Sequence, residues 1–107
     1  MDIEVIQNRD WESYCQFAFH PQEAQWILAA SGRERDVCGL ICWCRKEAVV
    51  KASGISLFES LSEIVFSVEG ELIALPKELG NPLHWKFFTN VYADSLVIVV
   101  AWKVSLD

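Results

Sequence analysis

The C-terminal third of the chain constrains the fold most tightly. Residues 83–92, LHWKFFTNVY, and residues 95–106, SLVIVVAWKVSL, are two apolar runs rich in β-branched and aromatic side chains, and they meet at Ala-Asp-Ser. This pattern predicts an antiparallel hairpin. The second run is apolar at nearly every position, which predicts a central strand covered on both faces.

The N-terminal half reads differently. Residues 3–6, IEVI, predict a short strand. After them, Asp10 suits a helix N-cap, and Trp11, Tyr14, Cys15 and Ala18 then share one helical face. The clearest helix begins in HPQEAQWILAASG. Pro21 suits its first turn, Glu23 favours the positive end of the helix dipole, and Ala24, Ile27 and Leu28 form a stripe that Gly32 should end.

Residues 32–36, GRERD, form a charged link before VCGLICWC, which holds Cys38, Cys42 and Cys44. Its Val, Ile and Trp content and Gly39 predict a strand, with RKE turning the chain into a second strand at residues 48–53. A helix is the competing reading, because Val37, Leu40, Ile41 and Cys44 also fit helical spacing. Residues 57–62 predict a short helix, opened by a capping-box pattern at Ser56 and Glu59. Strands are then expected near 63–68 and 71–75, with one helix over 57–68 as the alternative. Residues 76–82, PKELGNP, are turn chemistry.

Helices early and strands late predict an α+β fold: N-terminal helices on one face of a mainly antiparallel sheet of four to six strands, closed by a C-terminal hairpin. With 107 residues, 52% of them apolar, the chain is long and apolar enough for one domain, residues 1–107, with a real core.

Charge narrows the function classes. The formal net charge is −6. Nucleic-acid binding calls for a basic stripe that displaces counterions from phosphates, so nucleic acid is not an expected partner. The longest uncharged apolar run, residues 96–102, is far short of the ~20 residues of a membrane helix. With no export signal, the expected compartment is the cytoplasm, where thiols stay reduced.

The cysteines are the next candidate chemistry. In a strand, Cys38, Cys42 and Cys44 line one face with Leu40. That is the appearance of buried thiols, or of a metal face. Structural zinc sites use C-x2-4-C pairs on tight turns, and no second pair exists here, so no metal and no cofactor are expected. His20 reads as a helix-entry residue beside Pro21. No phosphate loop, H-E-x-x-H, EF-hand or G-x-S-x-G motif is present, and no catalytic residue is assigned.

What remains is an acidic stretch. Between residues 54 and 76, Glu59, Glu63, Glu69 and Glu71 stand without a basic residue. Small size, acidity, aromatic richness and missing motifs lead to a non-catalytic cytosolic binding protein. Its most concrete form is an inhibitor or immunity-type protein that masks a basic partner such as a toxin nuclease, with these four glutamates as anchors. The alternative is a small-ligand or metal-binding module built on the Cys38/Cys42/Cys44 cluster and an aromatic sheet face.

Overall fold

The C-terminal hairpin forms as its pattern requires. In the computed structural model, which describes residues 1–54 and 58–104 and only the backbone of 58–60, strand β4 (Trp85–Tyr92) pairs antiparallel with β5 (Leu96–Lys103) along its whole length. The turn between them holds Ala93 and Asp94 in left-handed backbone, both at φ 53°. Strand β1 (Asp2–Val5) adds antiparallel to the free edge of β5, pairing Asp2 with Val99 and Glu4 with Val97. The sheet order is β1-β5-β4, so β5 is central. A separate two-stranded ladder joins β2 (Val65–Phe66) to β3 (Leu72–Ala74).

Three α-helices precede these later strands. The first, α1 (Trp11–Phe17), is capped by Asp10, whose carboxylate accepts from the Ser13 amide at 3.2 Å. The second, α2 (Pro21–Ala29), has a reciprocal capping box. The His20 ring accepts from the Gln22 amide at 3.0 Å, and Glu23 accepts from the His20 amide at 2.9 Å. His20 is thus a helix-entry residue, as its place before Pro21 implies. The third, α3 (Gly32–Ser53), is the main departure from expectation. One helix of 22 residues replaces the charged link, the cysteine strand and the strand at 48–53; Gly32 opens it, while α2 already ends at Ala29 with Ala30 as its C-cap.

The competing helical spacing therefore wins, and packing explains the glycine that had favoured a strand. A Cβ on Gly39 would stand 2.9 Å from the Trp11 indole. The residue is small because an aromatic ring lies against the helix backbone, not because the backbone is extended. Gly54, at φ 71°, then ends α3 in the left-handed conformation that favours glycine.

The α+β layout holds. Helix α3 lies across the inner face of the sheet, against β5 and β1. The core between them contains Leu40, Cys42, Cys44, Ala48, Val49, Val97, Val99 and Ala101. The expectation that β5 is covered on both faces is met on one side only. On the outer face Ile3, Val5, Phe88, Tyr92 and Trp102 are exposed. Residues 58–63 form a 3-10 helix where a short helix was expected, while the Ser56–Glu59 capping box lies outside the described side chains. Short 3-10 turns occupy 77–79 and 82–84. Among the described residues, no helix is long and apolar enough to cross a membrane.

A buried ion pair ties these layers together. Lys46 of α3 and Glu23 of α2 meet at 2.6 Å with both side chains fully buried. The Lys46 ammonium also donates to the carbonyls of Leu61, at 2.7 Å, and Ile64. Glu23 accepts further from the Phe66 amide at 2.8 Å and the Cys42 thiol at 3.3 Å. All three ammonium hydrogens are used, which is the condition under which a buried charge is tolerated.

Candidate active site

The polar face of α3 and the inward face of β1 meet at a group of carboxylates. Strand parity explains how β1 contributes. Residues two apart share a face, so Asp2, Glu4 and Ile6 turn inward while Ile3 and Val5 turn out. Asp2 is 5% exposed, against 50% for Ile3. A strand with its acids inside and its aliphatic residues outside inverts the usual hydrophobic logic, since burying a carboxylate is costly without partners.

Helix spacing explains the other side. Trp43, Cys44, Glu47 and Lys51 fall on one stripe of α3, at i, i+1, i+4 and i+8. Each reaches toward β1. The Lys51 ammonium contacts Asp2 Oδ1 at 2.6 Å, and this hydrogen bond raises the Lys51 pKa. The Trp43 indole N–H donates to Glu4 Oε1 at 3.2 Å. Arg9 follows β1 and stands 3.6 Å from Glu4 Oε2. Glu47 holds its proton more tightly than an ordinary carboxylate, first because burial penalises its charge and then because Asp2 and Glu4 are close.

Three carboxylates from two elements thus share one electrostatic neighbourhood, rimmed by Lys51 and Arg9. Asp2 Oδ2 is buried and meets no donor in hydrogen-bonding geometry, although the Cys44 thiol interacts with the same carboxylate. Among the described residues, no three acidic, His or Cys side chains already stand at metal-ligand spacing. The donor set still fits a hard divalent cation. Mg²⁺ takes oxygen ligands and is commonly held by one or two carboxylates, with water and substrate phosphates completing the shell. An unpaired buried carboxylate oxygen and a neighbouring carboxylate destabilised by like charge are what such an ion relieves.

The cysteines do not form a site. They lie on a helix, so Cys38 and Cys42 face away from Cys44. Burial pushes all three thiols up, and the Asp2 charge adds to the effect at Cys44. A raised pKa keeps a thiol protonated and poor as a metal ligand or nucleophile. The acidic stretch lies apart from the carboxylate group. Glu63, Glu69 and Glu71 are exposed around the β2–β3 ladder, and the Glu59 side chain lies outside the described residues. Glu69 lines a cleft of about 210 Å³ with Trp26, Cys38, Ile41 and Arg45, on a face of α3 turned away from Glu47.

The sheet and the long helix that flanks it thus meet at a group of carboxylates. Comparison of the sequence with protein families supplies the class of protein. The profile described as ACPS: 4'-phosphopantetheinyl transferase superfamily matches residues 1–101. The chain belongs to the 4'-phosphopantetheinyl transferase superfamily. Searches among curated proteins and among solved structures found no significant match.

Family membership overturns the expected non-catalytic inhibitor or immunity-type protein that neutralises a toxin. The alternative, a ligand or metal module on Cys38, Cys42 and Cys44, also fails, because the cluster is dispersed around a helix and its thiols are held protonated. The residues that matter at the carboxylate group were not singled out from the sequence. Asp2 and Glu4 carried a usable signal, since acids at alternate positions of a strand must share a face. Glu47 and Lys51 carried one only once residues 48–53 are read as helix.

Proposed function

We propose that this chain acts in the transfer of a 4'-phosphopantetheinyl group at the site formed by Asp2, Glu4 and Glu47. The observation that carries this reading is the convergence of three carboxylates from β1 and α3 around a buried, unpartnered Asp2 oxygen. Membership of the superfamily supplies the chemical class.

Moving a phosphopantetheinyl group is displacement at phosphorus. A bond from the acceptor's nucleophile to phosphorus forms as the bond to the leaving oxygen breaks, and the chief task is to offset phosphate charge. A bound divalent cation would supply that offset as a Lewis acid. Asp2, Glu4 and Glu47 are the residues that would hold it. Lys51 has a largely exposed side chain, 53% accessible. It can leave Asp2 and meet a phosphate, giving the site a mobile positive charge. Arg9 keeps a second cation at the rim.

The test is transfer of phosphopantetheine from a donor that carries it on a phosphoanhydride to an acceptor protein, read as the acceptor's mass increase. Metal-dependent transfer that is lost in Glu47→Gln, with the fold retained by circular dichroism, supports the reading. Transfer that survives both metal chelation and Glu47→Gln refutes it.

A further inference from the structure

We infer that Trp43 is a positioning residue for this site, fixing the Glu4 carboxylate through its indole N–H; the inference rests on the cation-site reading above. Glu4 lies on β1, an edge strand, and its side chain is 28% accessible. A glutamate there has several rotamers, and holding a long side chain in one of them carries an entropic cost. A carboxylate meant to meet a cation needs that cost met before the ligand arrives.

The structure supplies two holders. Trp43 Nε1 donates to Oε1 at 3.2 Å, and Arg9 stands 3.6 Å from Oε2, so each oxygen is addressed separately. The indole is itself held. The Tyr14 ring meets it edge-on with centroids 5.2 Å apart, and the Phe17 ring does so at 6.4 Å. Arg9 is steered in turn by the Tyr14 hydroxyl, 3.3 Å from Nη1. One aromatic group on α1 thus sets both partners of Glu4.

Spacing along α3 adds the geometric reason. Trp43 precedes Glu47 by four residues, one helical turn on the same stripe. A single rigid helix therefore fixes the height of Glu4 relative to Glu47. A tryptophan serving only as filler would need its N–H satisfied by any acceptor. Here the acceptor is one of the three carboxylates, and the bond crosses from helix to strand. Groups that hold a metal ligand in place typically control 10- to 100-fold of metal affinity.

The experiment compares wild type with Trp43→Phe, which keeps an aromatic ring against Tyr14 and Phe17 but removes the donor. Mn²⁺ binding is measured by electron paramagnetic resonance or calorimetry, and the urea midpoint is recorded alongside. About tenfold weaker Mn²⁺ binding, beyond what any change in folded fraction accounts for, supports the inference. Unchanged binding in the variant overturns it and leaves the cation site standing. Failure of wild type to bind Mn²⁺ overturns both. A second readout needs no variant to fold: Mg²⁺ should shift the Trp43 indole N–H resonance of the wild-type protein. An unmoved resonance in protein that binds Mg²⁺ also overturns the inference.

Discussion

Replacing Lys46 by Met should come close to unfolding the protein. The Lys46 ammonium is fully buried and has three partners, Glu23 and the carbonyls of Leu61 and Ile64. Methionine fills the aliphatic volume but returns none of these bonds. Glu23 would keep a buried charge, still hydrogen-bonded by the His20 and Phe66 amides but with no cation opposite. Breaking a buried pair from one side costs about 3–5 kcal/mol. The two carbonyls are affected unequally. That of Leu61 also accepts from the Ile64 amide at 3.2 Å and stays satisfied. The Ile64 carbonyl loses its ammonium donor, which adds about 1 kcal/mol. A total of about 4–6 kcal/mol stands against ~5–15 kcal/mol for a whole domain. Urea unfolding followed by tryptophan fluorescence and circular dichroism would measure the loss. The double variant Glu23→Gln with Lys46→Met should recover about 2 kcal/mol, because the buried charge is gone. A loss below about 1 kcal/mol for the single variant, or a double variant no better than the single, would refute the reasoning. The result also separates two adjacent residues by role: Lys46 serves the fold, while Glu47, one position on, faces the carboxylates.

Two further outcomes follow from particular contacts. Gly39→Ala gains about 1 kcal/mol of helix propensity, but its Cβ would sit 2.9 Å from the Trp11 ring. Overpacking of that kind costs about 1–3 kcal/mol, so the variant should melt below wild type; a higher melting temperature would show that Trp11 yields freely. Asp2→Asn should lower the Glu47 pKa, because it removes a negative neighbour and releases Lys51 toward Glu47. The sign for stability follows. Folded Glu47 keeps a proton that unfolded Glu47 has already released, so its contribution to stability fades as pH rises from the unfolded pKa through the raised folded one. Titration of the Glu47 carboxyl carbon by NMR checks this, and a pKa that stays put or climbs in Asp2→Asn would count against the cluster.

Much of the fold was readable because local pattern and tertiary burial agreed there. The β4–β5 hairpin, the Asp10 cap and the His20–Pro21 helix entry each rest on a signal that packing reinforces. The failure at residues 37–53 has a definite cause. The stripe Val37, Leu40, Ile41 and Cys44 is helical, but Gly39 and the branched residues pulled toward strand. Gly39 was small for a tertiary reason, the Trp11 ring from an element 28 residues earlier, and no window along the sequence contains that information.

The site failed to show for the same reason, one step removed. With residues 37–53 read as two strands, Glu47 falls in the RKE turn and Lys51 in the strand after it, so nothing places the two one helical turn apart on a shared stripe. Residues 3–6 predict a strand, and the ordinary parity of such a strand turns its aliphatic side chains, Ile3 and Val5, inward. In the folded protein that parity is reversed: the aliphatic residues Ile3 and Val5 are exposed while Asp2 is buried against Lys51 and Cys44. Hydrophobic burial favours that choice of register only through Ile6, because shifting β1 by one residue would bury Ile3 and Val5 and free two acids. The register is retained at a cost in apolar burial, and it is the one that brings two carboxylates to Glu47. A strand that gives up core packing to present charge is a functional element before it is a structural one.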